Sequence, residues 1–167
     1  KEVLRFFVIT GLKLNKHNEI ISVLETKQAN QAFGTDTINQ ISSYIYSQKS
    51  VLAYQKGVYN DALELSHIAN DIRPDFISAD MEILSALKLN EIKQAMKLLS
   101  KYFHLIDPVK LYSFVSVLNQ HEAPKNVYAF FKNLRDSKNT RSTILLAKCA
   151  LDCGQYDEAN QYIAQAL

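Results

Sequence analysis

A recurrent spacing constrains this 167-residue chain more than any other feature. Gly57, Tyr59, Ala62, Ala69 and Pro74 punctuate one stretch. On a helix, residues seven apart share a face, so Ala62 and Ala69 mark a stripe that a neighbouring helix can approach closely. Gly57 allows a sharp turn ahead of that helix, and Tyr59 is placed to plug the gap at the turn. Pro74 ends the helix, because it has no N–H to donate and pushes its predecessor out of helical geometry. The alanine slot recurs as Val23, Ala62, Ala95, Val127 and Ala159, at intervals of 39, 33, 32 and 32 residues. Such a period predicts two-helix units, each able to bury its apolar face only against its neighbours.

The punctuation from Gly57 to Pro74 resembles the second helix of a tetratricopeptide (TPR) repeat. Four glycines and three prolines leave little turn material for a many-stranded β fold. In chain order, Val3, Leu4, Phe7, Val8 and Leu12 predict a helix over 2–14, and 15–18 breaks it. Ile20, Ile21, Val23 and Leu24 open a second helix expected to end in the polar stretch 27–31, with Gly11 at the small position of the first helix and Val23 at the alanine position of the second. Residues 32–36 read as a linker, with Thr35 or Asp36 capping a helix over 37–55. Asp75 is expected to cap a helix over 76–89, after which Asn90 takes the turn position and Ile92 the aromatic slot. Asp107-Pro108 and Ala123-Pro124 start further helices, and Asn139 or Thr140 caps another. Gly154, Tyr156 and Ala159 then repeat the opening signature. The expected fold is an all-α, TPR-like superhelix (solenoid) of about five helix pairs. Residues 1–35 form a degenerate N-terminal pair, continuous with repeats over 36–167.

Net charge is only +2 and the lysines are dispersed, which argues against a nucleic-acid partner. The apolar run from Val3 to Leu14 contains Arg5 and Lys13 and is far shorter than the ~20 residues of a spanning helix. The start at Lys1 and the lack of a cleavage pattern lead to the expectation that the chain is a piece of a longer one. His17, His67, His104 and His121 are scattered, and no Gly-rich phosphate loop is present. Cys149 and Cys153, four apart on one helix, are poorly placed for a mutual disulfide and read as small core residues. These patterns predict a non-enzyme with no metal and no cofactor.

In TPR-like stacking the first helix of each pair lines the concave face. The candidate partner-binding residues are therefore Tyr44, Ser47, Val51 and Tyr54, then Asp80, Leu84, Leu87 and Lys88. Further along they are Tyr112, Ser116 and Asn119, followed by Lys148 and Asp152. Aromatics, hydroxyls and single charges in this mixture suit protein or peptide recognition. The clustered lysines and asparagines of a chaperone-type carboxylate clamp are missing from these positions.

Three segments, ALELSHIANDIRPDF (62–76), KLLSKYFHLIDPVKLYSF (97–114) and TRSTILLAKCALDCGQYDEANQYIAQAL (140–167), make the chain similar to the TPR region of HemY proteins. That family typically has His-Pro where this chain has Asp107-Pro108. The resemblance implies a bacterial inner-membrane protein, anchored through a segment outside this piece, with the repeat domain on the cytoplasmic side. It also implies a non-catalytic scaffold supporting haem biosynthesis, with haem-pathway enzymes as partners, and it carries over no catalytic residues. Two alternatives stand beside it: a TPR adaptor in chaperone or envelope-assembly work, and a direct porphyrin or haem carrier using His104 or Cys149 as axial ligand.

Overall fold

Where the helical period predicts helices, the computed structural model has them; it describes residues 2–134 and 140–166. Among the described residues there are eleven helices and no strands. They are α1 (Glu2–Lys13), α2 (His17–Leu24), α3 (Lys27–Phe33), α4 (Thr35–Gln55), α5 (Tyr59–Ile72) and α6 (Phe76–Lys88). These are followed by α7 (Ile92–Tyr102), α8 (Pro108–His121), α9 (Pro124–Leu134), α10 (Thr140–Asp152) and α11 (Tyr156–Ala166). The chain divides into two compact units, Lys1–Leu89 and Asn90–Leu167.

In the first unit, α1 packs on α2 through Gly11. A Cβ at Gly11 would lie 2.9 Å from Ile20 Cγ1, so only glycine permits this approach without displacement. Val8, Ile20, Leu24 and Ile45 form a core, with Leu12, Phe33, Ile38 and Ile41 packed against it, which ties α1–α3 to α4. Helix α5 packs between α4 and α6, with Ala62 and Ala69 completely buried. The Ser43 hydroxyl on α4 lies 2.9 Å from the Arg73 carbonyl and 3.1 Å from that of Ala69, serving the last carbonyls of α5 just before Pro74. Asp75 caps α6, accepting from the amides of Ile77 and Ser78, and Ser78 reaches back to complete a capping box.

In the second unit, α10 packs against α8, α9 and α11. Its core includes Phe114, Leu118, Val127, Phe131, Leu146, Ala150 and Ala159. The Asp107 carboxylate accepts from the Val109 amide to start α8. The expected cap at Asn139 lies outside the described residues, as does the side chain of Thr140.

The turn geometry revises the expected alignment of the helices. Asn15, Gly57, Asn90 and Gly154 have positive φ (55°, 77°, 61° and 76°), and each stands five residues before a fully buried side chain: Ile20, Ala62, Ala95 and Ala159. At Asn15, Gly57 and Gly154 the next amide bonds the carbonyl five residues back, the Schellman closure that a left-handed residue makes possible. The close-contact residue of the first pair is therefore Ile20, facing Gly11. Val23, expected in that slot, is only half-buried.

The linker expected over 32–36 is also corrected. Residues 27–33 form α3, whose first turn is capped by Thr26 Oγ1 accepting from the Ala29 amide. Gly34 (φ 80°) separates α3 from α4, so Thr35 and Asp36 lie inside the first turn of α4 and do not cap it. The extra helix accounts for the wide interval between the first close-contact residue and Ala62. Tyr156 departs from the signature in another way. Tyr59 stacks edge-on against Tyr54 with centroids 5.3 Å apart, whereas Tyr156 in the corresponding slot is 66% exposed.

Candidate functional site

The expected binding residues fall on α4 and α6 in the first unit and on α8 and α10 in the second. On α4, Tyr44 is exposed, Val51 and Tyr54 are half-buried, and Ser47 is buried. On α6, Lys88 is exposed and Leu84 half-buried, while Asp80 and Leu87 are buried. The two helices touch across α5. Burial pushes the Tyr54 hydroxyl above its ordinary pKa, with neighbouring Tyr59 and the Asp80 charge adding to the shift. Tyr54 is thus close enough to feel the Asp80 charge, but Ser47, Asp80 and Leu87 are all buried and present almost no surface to a ligand.

The second unit gathers its residues more tightly. Asn119 Nδ2 on α8 donates to Asp152 Oδ2 on α10 at 3.1 Å, and Lys148 Nζ donates to the same oxygen at 3.0 Å. Tyr112 stands beside them. Its hydroxyl pKa is raised, first by burial and then by Cys149, against an opposing effect of Lys148. Ser116 is exposed, its hydroxyl donating back to the Tyr112 carbonyl at 3.1 Å. The Lys148–Asp152 charges compensate each other, leaving a mixed surface of ring, amide and hydroxyl without a strong field of either sign.

Two polar clusters were not singled out by sequence reasoning. In the first unit, buried Glu82 on α6 accepts from Asn70 Nδ2 at 2.6 Å and meets His67 Nδ1 at 2.9 Å, both from α5; Asn70 Oδ1 accepts from Ser78 Oγ at 2.6 Å. In the second, Tyr128 on α9 bonds Glu158 and Tyr162 on α11, and Lys132 Nζ donates to Glu158 at 2.9 Å. Burial, then the bonds to Glu158 and Tyr162, push the Tyr128 hydroxyl strongly upward, whereas the Lys132 and Tyr128 hydrogen bonds hold the Glu158 carboxyl below its usual range. Tyr128 and Tyr162 are 34 residues apart. Aligning the repeats and asking which polar residues face each other one period on is the signal that finds this cluster.

Cys149 is buried, and burial followed by the Asp152 charge pushes its thiol up to about 12. Such a thiol is a poor nucleophile and a poor metal ligand. Among the described residues no three His, Cys, Asp or Glu side chains are placed to hold a metal ion. No helix among them is long and apolar enough to cross a membrane. An open groove of about 280 Å³ lined by Lys49, Leu52, Ala53, Lys56, Val58, Asp61 and Leu65 contains none of the expected binding residues.

The described residues define an all-helical protein, compatible with an α-helical repeat fold. No protein-family model matches the chain, and no curated protein matches it either.

Proposed function

We propose that the chain is a TPR-like superhelix acting as a non-catalytic protein-interaction scaffold, with its first helices as the binding surface. One observation carries this reading: side chains about one repeat period apart meet on corresponding helices. Asn119 on α8 bonds Asp152 on α10, 33 residues later, and Tyr128 on α9 bonds Tyr162 on α11, 34 residues later. Contacts between corresponding positions are what stacking of like units produces. The gathered Tyr112, Asn119, Lys148 and Asp152 supply aromatic and hydrogen-bonding groups of the kind that recognise an extended or helical peptide.

Haem-pathway enzymes at the bacterial inner membrane are the partners proposed, on the HemY resemblance alone. A carrier that ligates haem iron through Cys149 is disfavoured by the burial and raised pKa of that thiol. The test is affinity capture with the intact protein as bait, compared with a Tyr54→Asp/Leu84→Asp variant. Haem-pathway enzymes captured by the native protein and lost by the variant support the reading. Capture of chaperones or envelope-assembly proteins replaces it with the adaptor reading.

A further inference from the structure

Helix α1 has two apolar faces, and the first unit uses only one. Val8 and Gly11 are buried, flanked by half-buried Leu4 and Leu12. Residues 3, 6, 7, 10 and 14 follow helical spacing along a second stripe. On it Val3 is 81%, Phe6 72% and Leu14 61% exposed, with Phe7 also exposed. Large aromatic and aliphatic side chains lying together in water mark an interaction surface.

The charges along its edge say what covers it. Glu2 and Lys13 are 11 residues apart, about three helical turns, so they flank the same side of the stripe, one at each end. Both are exposed. Glu2 already lies 3.7 Å from Arg5 on its own helix, an exposed pair that contributes little, so a covering helix with a base opposite Glu2, an acid opposite Lys13 and apolar residues between fits the stripe best. An antiparallel second copy of α1 has that order. A two-fold axis near Phe7 and Thr10 places Val3 against Leu14 of the other copy, and each Glu2 beside the other copy's Lys13. An isologous contact forms both ion pairs at once. An anionic lipid surface would instead favour cations at both ends of the stripe.

We propose that α1 is a self-association surface through which two copies pair antiparallel. A contact made by one 12-residue helix from each copy lies below the size of a stable interface, so the dimer is weak and concentration-dependent.

Sedimentation equilibrium of the full chain tests this, with circular dichroism as the check on folding. Monomer–dimer association is expected, abolished by Phe6→Asp. Glu2→Lys alone and Lys13→Glu alone each turn two attractions into two repulsions and should weaken the dimer by about tenfold. An equimolar mixture of these two variants should associate again, because the heterodimer regains both opposite-charge pairs, a signature that altered α1 stability cannot produce. Four results overturn the proposal: a monomer at every concentration, association unaffected by Phe6→Asp, no recovery in the mixture, or vesicle binding that needs Phe6 with no self-association.

Discussion

Asn119 and Asp152 lie 33 residues apart in sequence, and the Asn119 amide donates to Asp152 Oδ2 across 3.1 Å. Lys148, one turn before Asp152, donates to the same carboxylate. The contact registers α8 against α10 and leaves Tyr112 and Ser116 on the same surface. Because Lys148 and Asp152 remain about a third exposed, water screens much of the pair's attraction. Asp152→Ala should therefore change unfolding free energy by less than about 1 kcal/mol in urea titration while reducing partner binding, the pattern of a surface group. A larger loss of stability would make the cluster structural.

Glu82 behaves differently because it is buried. Its carboxyl takes hydrogen bonds from Asn70 and meets His67, and Asn70 in turn accepts from Ser78. Glu82→Ala strands the Asn70 amide inside the α5–α6 contact and should cost about 1–3 kcal/mol. Glu82→Gln keeps one acceptor and should cost less. Denaturant unfolding of the two variants checks the order.

Close helix contact makes its own prediction. Ala62 and Ala159 have no exposed surface, so Ala62→Leu or Ala159→Leu adds volume where none is free. Each should destabilise by about 1–3 kcal/mol. Unchanged thermal midpoints in both would contradict the repeat alignment.

The Glu158 carboxyl is held below its ordinary pKa by Lys132 first and Tyr128 second. A lowered folded pKa gives stability that is present above the unfolded value, about 4.3, and is lost as pH falls from there through the folded value. The stability difference between the native protein and Glu158→Gln should therefore shrink as pH drops below about 4.3. A difference independent of pH in that window would rule out the bonded carboxylate.

The Cys149 thiol shifts the other way, up to about 12. Its contribution is present below the ordinary thiol value, about 8.5, and is lost as pH rises toward the folded value. In native protein a thiol reagent should label half-buried Cys153 well before Cys149, and Cys149 only as the unit opens. Equal labelling rates would contradict the burial.

Much of the helix pattern is legible in the sequence because a 3.6-residue apolar period, Pro108, Pro124 and the caps Asp75 and Asp107 act locally. The cysteine at 149 is readable as core for the same reason. Helix α3 is not legible, since Lys27–Phe33 is short and mostly polar and gains its order from burying Ala29, Ala32 and part of Phe33. Register in the first pair is obscured too: Ile20 and Val23 are both apolar, and only the left-handed Asn15 distinguishes them. At the candidate site, helical spacing places Tyr54, Tyr112, Asn119, Lys148 and Asp152 on α4, α8 and α10, but it cannot tell that Ser47, Asp80 and Leu87 are buried. The Glu82 and Glu158 clusters depend on which polar side chains meet across helices, information that one helix's period does not contain.

The central claim is that the first helices carry the partner-binding surface. Tyr44 on α4 and Ser116 on α8 are exposed candidate residues, one in each unit, and can be changed without opening a core. The most direct measurement is quantitative affinity capture with the intact protein and a Tyr44→Arg/Ser116→Arg variant, with thermal unfolding of both as the fold control. The account predicts a defined set of captured proteins that the variant loses at an unchanged thermal midpoint. Capture of the same set in the same amounts by the variant would contradict it.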